Sequence, residues 1–325
     1  DGFSTCILKG QGNLFNYPEY LRKRRQCGDI DVWTAPLPPS GGCCNSTDKD
    51  AGIAIAVQTG KNKVEYVEYH GHKAIREYVR MQYRLQGLNT KPKACYHHID
   101  APDMDGVKVE VHYRPTFCRS FVRNRRMQKW FDTLASECMS NRISEGFSVP
   151  TASFNVVYQM AHLFEHYFEG GIGLRHIMDY YFALKAWQKD IMEWNSQQSQ
   201  GMWSEGLGTP VMSPSQVMSV FRSFGMAKFA SAVMSVLHEV FAMPTHYYIC
   251  EPNEKEGKRL MEEIMKGGNF GQYDTRDAAL KKGGMMKHGI WKLKRMMRLV
   301  RSYPEEALWE PVFRVYHLIW RTIHN

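Results

Sequence analysis

Apolar and polar positions follow two different periods along this chain. Near the start, in "QCGDIDVW", they alternate: Asp29, Asp31 and Trp33 fall on one side, Ile30 and Val32 on the other. That period of two is the signature of a strand. Residues 1 to about 36 thus read as a short apolar segment, a helix and this strand. Further on, "KACYHHI", the turn "APDMDG" and "VKVEVHYR" predict two more strands. In the last, Val107, Val109, Val111 and Tyr113 form an apolar face, and Lys108, Glu110, His112 and Arg114 a polar one. Solvation is the plainer reading of four ionisable groups in such a row. Between these strands, His72 to Gln86 places Ile75, Tyr78, Val79, Gln82 and Leu85 at helical spacing, with Gly87 as the stop.

From about Ser148 the helical period takes over. One helix follows Pro150, with Thr151 or Ser153 as the cap, and another follows the glycines at 170, 171 and 173. Ser213 and Pro214 mark a helix start. Further helices run through "AKFASAVMSVLHEVFAM" and "NEKEGKRLMEEIM", and the last carries Val312, Tyr316, Ile319 and Ile323 on one stripe. The expected fold class is α+β: a small mixed-sheet domain over 1–148, then a helical domain over 149–325. Residues 37–63, which include "PLPPSGGCCNSTDKDAG", read as a variable insertion.

Composition narrows the setting. With 325 residues and a hydrophobic fraction of 43%, the chain can bury a core in each of two domains. It has no run of about 18 apolar residues and no signal-peptide pattern in "DGFSTCILKG", which predicts a cytoplasmic protein. The eight cysteines lack C-x-x-C spacing and read as reduced thiols. A net charge of +9 calls for an anionic partner: nucleotide, nucleic acid, phosphorylated sugar or acidic membrane surface.

The candidate chemistry begins with carboxylates. Asp29 and Asp31 share a strand face, and Glu110 lies on the polar face of a later strand. Like charges that close call for something positive between them: counter-ions, an arginine or a metal. Three carboxylates suit a hard divalent cation, which in phosphoryl or nucleotidyl transfer works beside the substrate phosphates. Upstream, in "LKGQG", Gly10 and Gly12 would let backbone N–H groups approach phosphate oxygens, and Lys9 adds charge. The stretch lacks G-K-[ST] and a third glycine, so it is neither a P-loop nor a dinucleotide fingerprint.

Other patterns stand apart from this set. "HLFEH", His162 to His166, has the H-x-x-E-H spacing of a zinc-protease helix, but no third ligand is evident. A helix lining a cleft is the better reading. Arg175 and Asp179, one turn apart, fit a salt bridge. Basic residues cluster in the 281–301 segment around Trp291 and in "RSFVRNRRMQK". A solvated basic helix face is the default for the first, with an anionic membrane surface next and nucleic acid not favoured. The second lies close enough to the strands to meet an anionic acceptor.

Together "LKGQGNLFNYPEYLRKRRQCGDIDVW", "HHIDAPDMDGVKVEVHYRP" and "GIGLRHIMDYY" resemble the uncharacterised nucleotidyltransferase family of Bacteroidetes, often associated with capsular polysaccharide clusters. That family sits in the DNA-polymerase-beta-like superfamily, and the resemblance runs from about residue 7 to the C-terminus. It implies a nucleotidyltransferase-fold domain followed by helices. Asp29 and Asp31 match the superfamily's acidic pair and Glu110 its third carboxylate. Gly10 and Gly12 match the upstream turn loosely, since Gln11-Gly12 stands where Gly-Ser is usual and the spacer to Asp29 is long.

The resemblance further implies Mg²⁺- or Mn²⁺-dependent transfer of a nucleotidyl group from an NTP to a small acceptor, with sugar derivatives as candidates. Asp29, Asp31 and Glu110 would hold metal, and Lys9, Gly10, Gly12 and Arg25 would contact phosphates. His112 would orient Glu110 or touch the acceptor, although a satisfied structural histidine is the commoner case. Of His97 and His98, alternation lets one face the site; His98 is carried as the candidate. Two rival readings keep the fold: toxin-like modification of tRNA or protein, and a non-catalytic nucleotide-binding scaffold in polysaccharide assembly.

Overall fold

The computed structural model describes residues 2–37, 52–58, 64–199, 211–276, 278–281 and 283–325. The chain is α+β: a small mixed sheet near the N-terminus, then a helical region. It divides into two compact units. The first takes Asp1–Pro115, Gln128–Phe154 and Tyr316–Asn325; the second takes Thr116–Met127 and Asn155–Val315.

The first unit opens with β1 (Phe3–Leu8), α1 (Lys9–Asn13), α2 (Glu19–Arg22) and β2 (Ile30–Pro36). Strands β3 (Gly52–Gln58) and β4 (Val64–His70) make a separate antiparallel pair. Part of the expected insertion is therefore a strand, while 38–51 and 59–63 lie outside the described residues. Helix α3 (Gly71–Leu85) matches the predicted span, and Gly87 beyond it takes a positive φ of 65°. Its buried face is Ala74, Ile75, Arg76 and Val79; Leu85, expected on that face, is exposed.

Strands β5 (His98–Met104) and β6 (Val107–His112) complete the main sheet, in the order β1-β2-β6-β5. The expected strand "KACYHHI" starts only at His98. The expected six-residue turn shrinks to Asp105-Gly106, both at positive φ (50° and 79°). An Asp-Gly pair in that conformation is the favoured two-residue hairpin turn, because its twist matches the strands. Strand β6 runs parallel to β2 and antiparallel to β5.

One sheet face, with Phe3, Val32, Thr34 and Val111, meets Ile75, Tyr78 and Val79 of α3 around a mostly apolar cavity of about 310 Å³. The other carries Trp33, which stacks on Phe154 at 5.2 Å. Phe154 in turn stacks on Trp130 at 5.6 Å. Trp130 belongs to α4 (Phe121–Ser140), a helix that the arginine-rich run had concealed.

The helical region continues with α5 (Ala152–Glu169), α6 (Leu174–Ser199), α7 (Pro214–Ser223), α8 (Ala227–Phe241), α9 (Glu254–Gly267), α10 (Ala278–Lys281), α11 (Met285–Leu299) and α12 (Pro304–His324). Ser213 caps α7 in a capping box with Gln216, as its sequence predicts. Asn253 caps α9 through the Glu256 N–H. The stripe expected to face the core on α12 does not: Val312, Tyr316, Ile319 and Ile323 are exposed. The buried face instead carries Glu306, Ala307, Glu310, Phe313 and Trp320. Within the second unit, the glutamates meet the buried Arg119: its side chain pairs with Glu310 and its backbone N–H donates to Glu306. Arg119 is thus taken up inside the fold, whereas Arg125, Arg126 and Lys129 of the same run are exposed.

The candidate active site

The three predicted carboxylates come together at the edge where β2 meets β6. Parallel pairing sets Asp31 directly opposite Glu110. Asp29 lies one residue before β2 begins, so the turn rather than the strand presents it. One oxygen from each of Asp29, Asp31 and Glu110 lies within 4.8 Å of the others. They span a gradient of exposure: Asp31 is 1% exposed, Glu110 intermediate and Asp29 open to solvent.

Asp31 has two cationic or polar neighbours. Lys9 Nζ is 2.8 Å from its Oδ1, and His112 Nε2 is 2.9 Å from the same atom. Burial pushes the Asp31 carboxyl up, but the Lys9 charge and the His112 hydrogen bond outweigh it and hold the group well below the carboxylate range. Burial pulls Lys9 down, and the Asp31 charge more than restores it, so its ammonium is raised. Asp29 moves the other way. Partial desolvation and then the nearby Asp31 charge raise it, against the pull of Lys9. The cluster thus contains one firmly ionised carboxylate and one whose ionisation its neighbours resist.

His112 is 1% exposed, so the solvated reading of that strand face fails at this residue, while Lys108 on the same face is exposed. It touches both carboxylates, with Nε2 also 3.4 Å from Glu110 Oε2, and its Nδ1 lies 3.3 Å from the Arg114 carbonyl. His98 is its cross-strand partner, with Nδ1 3.4 Å from Glu110 Oε2. Burial lowers His98, but hydrogen bonds to Asp100 and Cys95 and the Glu110 charge carry it up to about 10. Of the two candidates, His98 is the one that meets Glu110. His97 precedes β5, so strand alternation does not apply, and its Nε2 sits 3.0 Å from His98 Nδ1. Cys95, unremarked in the sequence, stands next to it, with Sγ 3.5 Å from His97 Nδ1.

The glycine stretch takes a different form from a phosphate loop. Lys9 to Asn13 fold into α1, and Gly10 and Gly12 are buried. A Cβ on Gly12 would stand 2.1 Å from the Ile7 carbonyl oxygen, so close backbone packing alone demands glycine there. At Gly10 a Cβ would meet Arg25 Nη1 at 3.3 Å; that guanidinium donates to the Gln26 carbonyl at 2.8 Å. Lys9 reaches Asp31 from a positive φ of 49°, a conformation that costs a non-glycine residue about 1 kcal/mol or more.

In the second unit the H-x-x-E-H pattern closes on itself. His166 Nε2 is 2.7 Å from His162 Nε2, and Glu165 is buried and accepts from the Thr116 hydroxyl. The basic segment is partly structural as well. Trp291, Lys292 and Arg295 are buried. Lys292 donates to the Glu169 carbonyl and Arg295 to those of Phe168 and Tyr167. These are the last carbonyls of α5, which have no partner within their own helix.

The chain belongs to the uncharacterised nucleotidyltransferase family, whose model matches residues 1–201. That span contains every residue of the carboxylate cluster. No match is found among the curated proteins, nor among the solved structures. Among the described residues, no helix is long and apolar enough to cross a membrane.

Proposed function

We propose that the protein transfers a nucleotidyl group from an NTP to a small hydroxyl-bearing acceptor, sugar derivatives being the first candidates, in a reaction that depends on Mg²⁺ or Mn²⁺. The observation that carries this reading is the registered pair Asp31–Glu110 with Asp29 beside it, in a chain of a nucleotidyltransferase family. The donor set fits the ion. Three carboxylates that bring one oxygen each within 4.8 Å of the others offer the hard donors such an ion takes. When bound, the ion neutralises phosphate charge at the point of attack.

The chain's own residues do the rest. Asp29, Asp31 and Glu110 hold the ion. Lys9, next to Asp31, supplies a positive charge that triphosphate oxygens can share. Gly10 and Arg25 flank it at the phosphate end. His112 fixes the rotamers of Asp31 and Glu110, since it bonds to both. Glu110, the partly exposed member, is placed to accept the proton of the acceptor hydroxyl as its oxygen attacks the α-phosphorus and pyrophosphate leaves. Positioning and charge neutralisation carry most of such a reaction.

Pyrophosphate release, measured with each NTP against a panel of sugar and sugar-phosphate acceptors, tests this. Release should require Mg²⁺ or Mn²⁺ and should fall at least about a hundredfold in Asp31→Asn and Glu110→Gln. Release that persists in both variants places the chemistry elsewhere.

For a partner surface, α11 leaves Met286, Lys287, Ile290, Leu293, Lys294 and Met297 exposed on one side. Apolar and cationic groups on one helix face suit an anionic bilayer surface. Co-sedimentation with anionic vesicles, lost in Leu293→Glu/Met297→Glu and absent with neutral vesicles, is the expected result. Equal sedimentation with neutral vesicles contradicts it.

A further inference from the structure

Beside the carboxylates lies a second cluster of a different chemical kind: Cys95, His97 and His98. One ligand atom from each lies within 4.8 Å of the others. We propose that this turn is a binding site for a soft or borderline divalent metal, Zn²⁺ above all, distinct in its donors from the oxygen site on Asp29, Asp31 and Glu110 and adjoining it through His98, whose Nδ1 lies 3.4 Å from Glu110 Oε2.

The donor chemistry selects the metal. A thiolate and two imidazoles favour Zn²⁺ over Mg²⁺, whereas three carboxylates favour the reverse. The spacing of the three side chains is within reach of a tetrahedral ion. With Zn–S near 2.3 Å and Zn–N near 2.05 Å, tetrahedral angles give S···N edges of about 3.5 Å and N···N edges of about 3.3 Å. Cys95 Sγ and His97 Nδ1 are already 3.5 Å apart. His98 Nδ1 lies 3.0 Å from the opposite ring nitrogen, His97 Nε2; an ion takes one of the two, and one ligand atom from each residue lies within 4.8 Å of the others. All three residues are partly accessible, which leaves a route for the ion and a fourth position for water or a substrate atom. Three protein ligands with one open position are the pattern of reactive rather than purely structural zinc.

The backbone under these ligands is fixed from several sides. The Cys95 N–H donates to the His98 carbonyl at 2.9 Å and closes the turn. The Tyr113 hydroxyl donates to the Cys95 carbonyl and lies 3.2 Å from that of His98. The His97 carbonyl accepts from the N–H groups of Tyr113 and Arg114 at 3.0 and 3.1 Å. Ala94 is held through both its backbone groups by the Asn325 side chain, at 2.7 and 2.9 Å. A turn anchored this way loses little entropy when its side chains converge on an ion.

Cobalt(II) is the direct probe, because thiolate ligation gives it a near-ultraviolet charge-transfer band that oxygen ligands cannot. The full-length protein, stripped with chelator and titrated with Co²⁺, should show that band together with visible tetrahedral bands, and Zn²⁺ should displace both. Cys95→Ser should abolish the charge-transfer band, and His97→Ala should weaken Co²⁺ binding at least about tenfold, since even outer-shell changes cost that much. Cys250→Ser and Asp29→Ala/Asp31→Ala should leave the band intact. Circular dichroism of each variant separates lost binding from lost folding. A wild-type protein without the band, or a band unchanged in folded Cys95→Ser, overturns the proposal.

Discussion

At the scale of single residues, Asp31 is the pivot of the carboxylate cluster, and its environment bears on stability. It is buried, and Lys9 and His112 share its Oδ1. Removing one member of such a buried pair strands the other charge, at about 3 kcal/mol or more, whereas removing both costs less. Chemical denaturation should therefore rank Lys9→Met/Asp31→Asn as more stable than Asp31→Asn alone. The reverse order would mean that Lys9 is not held by Asp31. Gly12 makes an independent case. A methyl group there would stand 2.1 Å from the Ile7 carbonyl oxygen, so Gly12→Ala should cost about 2 kcal/mol in the same experiment. Its sequence context suggested phosphate binding, but packing already requires the glycine. Spacing alone could not separate the two causes, because both select for a missing Cβ.

Among the elements, β2, β6 and α3 were legible because one face of each is apolar and the other is not. The cases that misled share a cause: charged groups satisfied inside the fold. The polar face of β6 read as solvated because the partner of its His112, Asp31, lies 81 residues away. On α12 the buried face carries Glu306 and Glu310, matched by Arg119, so hydrophobicity pointed to the opposite stripe. Ile319→Ser on that exposed stripe should change stability by under about 0.5 kcal/mol, while Trp320→Ala, which removes a buried ring, should cost about 3–5 kcal/mol.

The C-terminal end of α5 supplies a pH prediction. Burial brings Lys292 down from 10.5 to about 8. Between those values the unfolded chain binds a proton that the folded chain does not, so this group's contribution makes stability rise with pH across the window. The full difference is on the order of 3 kcal/mol. Between pH 8 and 10 the melting temperature of the wild type should therefore gain relative to that of Lys292→Met. Parallel pH profiles would show that Lys292 titrates normally.

For the whole molecule, the α+β class and the aspartate pair could be read from the sequence because strand alternation and D-x-D spacing are local, whereas the pairing of Asp31 with Glu110 was implied only by the family resemblance. The two units could not, because they interleave: the first recovers Gln128–Phe154 and Tyr316–Asn325 after the chain has left it. Cys95 escaped notice for the same reason. Its surroundings are set by Tyr113, 18 residues on, and by Asn325, which holds the neighbouring Ala94 from 231 residues away. The family match over 1–201 gives the reaction class, and the carboxylate cluster offers a place for it. The most direct test of that link is calorimetric titration of each NTP into the protein with Mg²⁺, with Mn²⁺ and with chelator, beside Asp29→Ala/Asp31→Ala. Metal-dependent binding of an NTP by the wild type, lost in the folded double variant, is the predicted result. Equal binding by both proteins, or no NTP binding by folded wild type with either metal, would contradict the assignment of this cluster as the nucleotide site.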